Sequence, residues 1–391
     1  MEKYFLELDD IHQEREMVLE SIFYKNDLLV TFGPAMEADG DDANKDTSNT
    51  AANNIKNAGN SSTLENKNQK KDAQTTDKEG SGNDNSKARE AFTKSLKEVV
   101  SAISDFIKRY ITDFNVSMSD LLNDNASTRV EIEKLVRNGK PDENITFKDY
   151  DYHNEVIANA NKAISETYIA MLENYNKLKP YLNDLAKYDS LTDERKKEII
   201  NKLRSCIGKD ENSEIYFPEP QVIIAKKLGV DPAKAAEMSP QDVKKHIVNS
   251  YKGLDEKGNG GPNEFTLKNN QNRLDSAVNF IRNYKANVAA LTDNNSKLRT
   301  SADGFKNLCE TMQRVDANIE MTDALKPVTE RLSRDINVMV GFNECVLTCI
   351  KERGIASEIF IKKAYGQKFD VKGKANNLKN QIKDANAKNK R

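Results

Sequence analysis

Residues 157–185, IANANKAISETYIAMLENYNKLKPYLNDL, place Ile157, Ala160, Ile164, Tyr168, Met171, Tyr175, Leu178, Leu182 and Leu185 at steps that alternate between three and four. That spacing draws one continuous apolar seam along a long α-helix and suits a bundle or a coiled coil, with Pro180 expected to bend it near its end. Upstream, Phe92, Leu96, Val99, Ile103, Phe106 and Tyr110 repeat the pattern. A second helix is expected through Leu121, Leu122, Val130, Ile132 and Leu135, weakened at Asn123 to Thr128 and closed by Asn138, Gly139 and Pro141.

Downstream, shorter helices are signalled from Thr192 to Ile207, closed by Gly208, and from Pro220 to Leu228, closed by Gly229. Asp231 before Pro232 and Ser239 before Pro240 each set an acceptor side chain ahead of a proline at the first helical position, which is a helix start. The glycine-rich loop Gly253 to Asn263 separates this block from three more helices, expected from Glu264 to Leu291, Ser296 to Gln313 and Thr322 to Arg353. In the last, Leu325, Val328, Leu332, Ile336, Met339, Phe342 and Val346 form the core stripe.

The opposite extreme is residues 38–87, where Ile55 and Leu64 are the only large apolar side chains. Burial there cannot offset the entropy of ordering, so the segment reads as a disordered linker with mixed charges. Ahead of it, Tyr4, Phe5, Leu8, Ile11, Val18, Leu19, Ile22 and Phe23 make an apolar stripe on an acidic helix that stops at Gly33 and Pro34. The fold class is therefore all-α, an elongated multi-helix bundle with an N-terminal amphipathic helix and a long disordered linker. Five parts follow: a docking helix at 1–37, the linker at 38–87, helical domains at 88–253 and 264–361, and a basic tail at 362–391.

Charge is segregated. The whole chain carries a formal −2, yet residues 1–37 hold nine acids against three bases and residues 362–391 hold ten bases against two acids. Lys372, Lys374, Lys379, Lys383, Lys388, Lys390 and Arg391 form a tail with few aromatics, a pattern that suits sequence-independent phosphate contact and not base reading. No apolar run reaches the length of a membrane helix, and the acidic start is unlike a signal peptide, so synthesis in a cytoplasm and no membrane association are expected. Cys206, Cys309, Cys345 and Cys349 read as a reduced, partly buried set.

Signals for chemistry are weak. The stretch Asp255 to Gly260 opens like a calcium loop, but Lys257 stands at a ligand position and Thr266 where a bidentate glutamate is needed. His12, His153 and His246 have no ligand partners at metal spacing, and Cys345 with Cys349 lacks a second pair. No cofactor, metal or catalytic residue is expected, and the chain reads as a non-enzyme.

Between the acidic helix and the linker stands Ala35, Met36, Glu37 and Ala38, a small residue two before a glutamate and another after it. This resembles the sites that prohead proteases of large tailed bacteriophages cut, and the opening ELDDIHQEREMVLESIF is similar to the acidic helices that begin internal virion proteins of those phages. The resemblance covers about forty residues. It implies a virion structural protein inside the capsid, made in the host cytoplasm. Phe5, Leu8, Ile11, Leu19, Ile22 and Phe23 would engage a capsid or scaffold protein, and a prohead protease would cut after Glu37. Ala88, Arg89, Glu90 and Ala235, Ala236, Glu237 satisfy the same motif, but only the first site adjoins a predicted linker. Removing residues 1–37 would shift the formal charge from −2 to +4, favouring residence beside packaged DNA. The other reading is a cytoplasmic helical scaffold or adaptor that keeps its N-terminal helix on a partner; an oligomer is compatible with either.

Overall fold

A computed structural model describes residues 81–367, apart from 186, 188–189, 208–215 and 315–318. The architecture is all-α, with a single two-stranded ribbon among the described residues. In order, the elements are α1 (Ser81–Asn138), β1 (Thr146–Asp149), α2 (Asn154–Leu185), α3 (Asp193–Ser205), α4 (Pro220–Lys227), α5 (Pro232–Glu237), α6 (Pro240–Tyr251), β2 (Asn263–Thr266), α7 (Gln271–Met312) and α8 (Ile319–Ala364). A 3-10 turn at Leu267–Asn269 leads into α7. The 58 residues of α1 span about 87 Å at the ordinary helical rise, which makes the bundle elongated.

The long helices α1, α2, α7 and α8 form the body. Helices α7 and α8 run antiparallel, with the Thr329 hydroxyl 3.4 Å from the Met312 sulfur at one end and Arg353 Nη2 3.4 Å from the Ser276 hydroxyl at the other. Helix α2 lies along both, and its whole predicted seam from Ile157 to Leu185 is buried. Helix α1 is clamped to the same pair by a two-point ion pair from Arg282 to Glu133, at 2.8 and 3.1 Å, and by Lys362 to Glu131 at 2.8 Å. The short helices α3, α4 and α6 cover α2 and α8, and α5 packs on α4. Apolar side chains from Phe92 to Ala356 form one cluster, so helices on both sides of the Gly253–Asn263 loop share a core.

Four expectations about element bounds change, the first being that α1 begins at Ser81, inside the linker expected over residues 38–87. Residues 123–128 do not interrupt α1, because Leu121 and Leu122 on one side and Ile132 on the other dock on the body and override weak local propensity. The expected break between Leu291 and Ser296 is absent too. Asn294 and Asn295 are buried within a continuous α7, and Asn294 Nδ2 donates to Asn161 O and Oδ1 at 3.2 and 3.1 Å. What reads as helix-breaking polarity is a hydrogen-bonded layer between α7 and α2. Residues 264–266, expected to open a helix, instead join Asn263 in β2 against β1, with Phe147 facing Phe265. Phe360 stands edge-on to Phe147 at 4.3 Å, and this small aromatic cluster explains why α8 continues past Arg353 to Ala364.

The two start signals hold as expected. The Asp231 carboxylate accepts from the backbone of Ala233 and Lys234, and Ser239 with Asp242 forms a capping box. In the loop that resembles a calcium site, the Asp255 carboxylate accepts from Lys257 N, Asn259 N and Asn259 Nδ2, so it serves as the loop's own brace. Gly258 and Gly260 take positive φ values of 79° and 113° there.

Two outcomes test this core. Phe342, fully buried on α8, is expected to cost about 3–5 kcal/mol when truncated to alanine, measured by urea unfolding. Burial pushes the Glu344 carboxyl from 4.5 up to about 7, with Lys244 and Lys351 opposing. The folded state then holds this proton more tightly than the unfolded chain. Stability from this group is complete below about pH 4.5 and is lost as pH rises through about 7. Glu344→Gln should flatten that part of the decline in urea midpoints collected from about pH 5 to about pH 8.

Candidate functional site

The ribbon, the first turn of α7 and the last third of α8 meet around a cleft of about 170 Å³. Its position follows from the β1–β2 pairing, which draws Tyr150 and Tyr152 after β1 and Phe265 in β2 toward the start of α7. The N-cap residue of α7, Asn270, makes no side-chain capping bond; its Nδ2 donates to Thr266 O at 3.2 Å. The positive end of a 42-residue helix therefore opens beside Asn272 and Arg273, which line the cleft.

Two guanidinium groups face this space. Arg273 reaches Asp151 at 3.5 Å and lies over the Phe265 ring at 4.3 Å, while its Nη1 is buried with no hydrogen-bond partner. Arg353 is 4% exposed. Its guanidinium stacks on Tyr152 at 4.5 Å and approaches Phe280 at 5.9 Å, Nη2 lies 3.4 Å from the Ser276 hydroxyl, and Nε has no partner. Asn154 donates to the same hydroxyl at 3.4 Å, and its own Oδ1 is unpartnered.

The neighbouring charges are already engaged. The Glu352 carboxylate pairs with Lys252 at 3.3 Å and accepts from the Tyr152 hydroxyl at 3.3 Å, in a layer where the two charged side chains are 3% and 7% exposed. Lys252 also lies 4.9 Å over the Tyr150 ring. Asp149, on the rim, accepts from the Tyr150 backbone. The arrangement sets two guanidiniums and two carboxylates, Asp149 and Asp151, between aromatic walls, with guanidinium donors left unpartnered.

The site residues expected from sequence fall elsewhere. Phe5, Leu8, Ile11, Leu19, Ile22, Phe23, the Ala35, Glu37 and Ala38 site, and Lys372, Lys374, Lys379, Lys383, Lys388, Lys390 and Arg391 all lie outside the described residues. Of the bases that open the predicted tail, Lys362 bonds Glu131 and Glu358 and Lys363 lies over Phe147 at 5.1 Å, so both belong to α8. His153 contacts Glu155 at 3.4 Å on an exposed helix start, and burial lowers His246. Among the described residues, no group of three or more His, Cys, Asp or Glu could hold a metal ion, and no helix is long and apolar enough to cross a membrane. Arg273 and Arg353 escaped the sequence reading, since a single arginine on a helix carries no spacing signal. Compared with protein-family models, with curated proteins and with solved structures, the chain matches none.

All four cysteines are free and buried, more completely than the sequence suggests. Burial pushes the Cys206 and Cys309 thiols up to about 12, a range where the thiolate is scarce at neutral pH. A disulfide-exchange reagent should therefore leave the native body unmodified over minutes and titrate four thiols after denaturation.

Proposed function

We propose that this chain is a non-enzymatic structural protein of a tailed-phage virion, of the internal head or prohead core type. Residues 1–37 dock on a capsid or scaffold protein, and a prohead protease removes them by cutting after Glu37. The observation that carries the reading is the position of the cleavage motif. Alanine stands two residues before a glutamate at three further places, ending at Glu90, Glu237 and Glu358, and all three are held in helix. Residues 88–90 lie within α1, and Ala235, Ala236 and Glu237 lie in α5 with Ala235 fully buried. A protease that needs about eight extended residues would have to unwind a helix at any of the three. Ala35, Met36, Glu37 and Ala38 stand at the junction of the acidic segment and the polar linker, which leaves this motif as the substrate.

The mechanism is physical. The apolar stripe from Phe5 to Phe23 occupies a groove on the partner, the acidic face stays in water, and residues 38–80 give the helical body reach. After cleavage the product has a formal charge of +4, with Lys372 to Arg391 as its most cationic stretch and DNA phosphates as the contact.

The test is intact mass and N-terminal sequencing of the protein from purified particles. A chain beginning at Ala38 is expected, and Glu37→Gln should block the shortening. A chain that begins at Met1 inside particles, or that is missing from particles and copurifies whole with a cellular partner, would replace this reading with that of a permanent adaptor.

A further inference from the structure

Helix α8 buries five charged side chains, Arg331, Asp335, Glu352, Arg353 and Glu358. Four of them have an opposite charge close by. Arg331 Nε meets Asp335 at 2.8 Å, Glu352 meets Lys252 at 3.3 Å, and Glu358 meets Lys362 at 3.0 Å. Arg353 is the exception. Among the described residues no carboxylate comes within ion-pairing distance of it, and its Nε is a buried donor without an acceptor. A guanidinium cannot shed its charge by deprotonation, so an unpaired one in the interior carries a large desolvation penalty that an anion would relieve.

The surroundings of Arg353 describe the anion that fits. Arg273 adds a second guanidinium with an unpartnered Nη1, in the first turn of α7, whose N-cap residue makes no side-chain capping bond. Asp151 opposes Arg273 at 3.5 Å and Asp149 lines the rim, so the lining carries two guanidiniums against two carboxylates, and the attraction for an anion rests on the unpartnered Arg donors and not on net charge. The cleft, at about 170 Å³, is smaller than the roughly 300–1,000 Å³ of ordinary ligand pockets. We propose that Arg353 and Arg273, at the first turn of α7, form a binding site for a small oxyanion, a phosphate or a carboxylate. Bidentate guanidinium contacts suit both. Tyr152 and Phe265 wall the site and keep the dielectric low, which strengthens the attraction. The site does not depend on the virion reading.

The full-length protein is titrated with sodium phosphate and, separately, with sodium acetate, against sodium chloride at matched ionic strength. Melting temperature and heat of binding are recorded. At least one oxyanion should give a saturable rise of about 2–5 °C at tenfold above its Kd, beyond any effect of chloride. A response to phosphate alone assigns a tetrahedral anion, and a response to acetate alone assigns a carboxylate. Arg353→Met should abolish the response, and Arg273→Met, at the more exposed rim, should weaken binding about tenfold or more. Absence of a saturable effect from both anions in the unaltered chain overturns the assignment, whether or not the variants fold. So does an undiminished response in a folded Arg353→Met protein.

Discussion

The constraint on which the structure depends is that α8 has no exposed residue from Asp335 to Ala364, after an exposed stripe of Asp323, Pro327, Glu330 and Arg334 on its first turns. Along most of its length the side chains on every side are buried, so α1, α2, α7 and the short helices must all find places around it. A helix enclosed in this way cannot leave its polar residues to water. Thr329 returns its hydroxyl to Leu325 O, and Asn343 donates to the Tyr168 hydroxyl at 3.1 Å. Arg331 is held by Asp335 and by Phe217 O at 3.0 Å, and Glu352 by Lys252 at the end of α6. Tyr168, Phe217 and Lys252 come from defined points outside α8, so these polar groups help set the register in which the apolar stripes meet. Burial pushes the Asp335 carboxyl up to about 6 even with Arg331 beside it, a measure of how dry this interior is.

The second determinant is the small ribbon. Its two strands lie far apart in sequence, and their pairing ties the connection after α1 to the approach of α7. Phe147, Phe265 and Phe360 close that end with ring contacts at 4.3 to 5.8 Å. The ribbon also brings the Tyr150 to Tyr152 segment over the α7 terminus. That geometry creates the arginine cleft. Without the ribbon, Arg273 and Arg353 would be two unrelated cations on neighbouring helices.

Much of this was legible in the chain. The alternation of three and four from Ile157 to Leu185 names the apolar seam of α2, though not the buried Asn161, Ala163 and Thr167, and the stripe from Leu325 to Val346 names part of the core of α8. Asp231 and Ser239 mark two helix starts correctly, because capping is a matter of a few adjacent residues. The misreadings share one cause. Residues 123–128 and the pair Asn294 and Asn295 look like breaks because asparagine, serine and threonine compete locally with helical hydrogen bonds. Packing by distant helices outweighs that competition in α1, and Asn161 gives Asn294 a partner in α7. The ribbon escaped for the related reason that neither four-residue strand has a hairpin partner nearby.

The sequence by itself determined the helical class, the position of most apolar stripes, the helix starts at Asp231 and Ser239 and the separation of acidic and basic ends. All of these depend on residues within a few positions of one another. Only the tertiary structure decided that α1 and α7 are continuous, that α8 is enclosed and that Arg353 is left without a counter-ion beside Arg273. Those properties are set by distance and burial between elements remote along the chain, and no local pattern encodes which buried charge finds a partner.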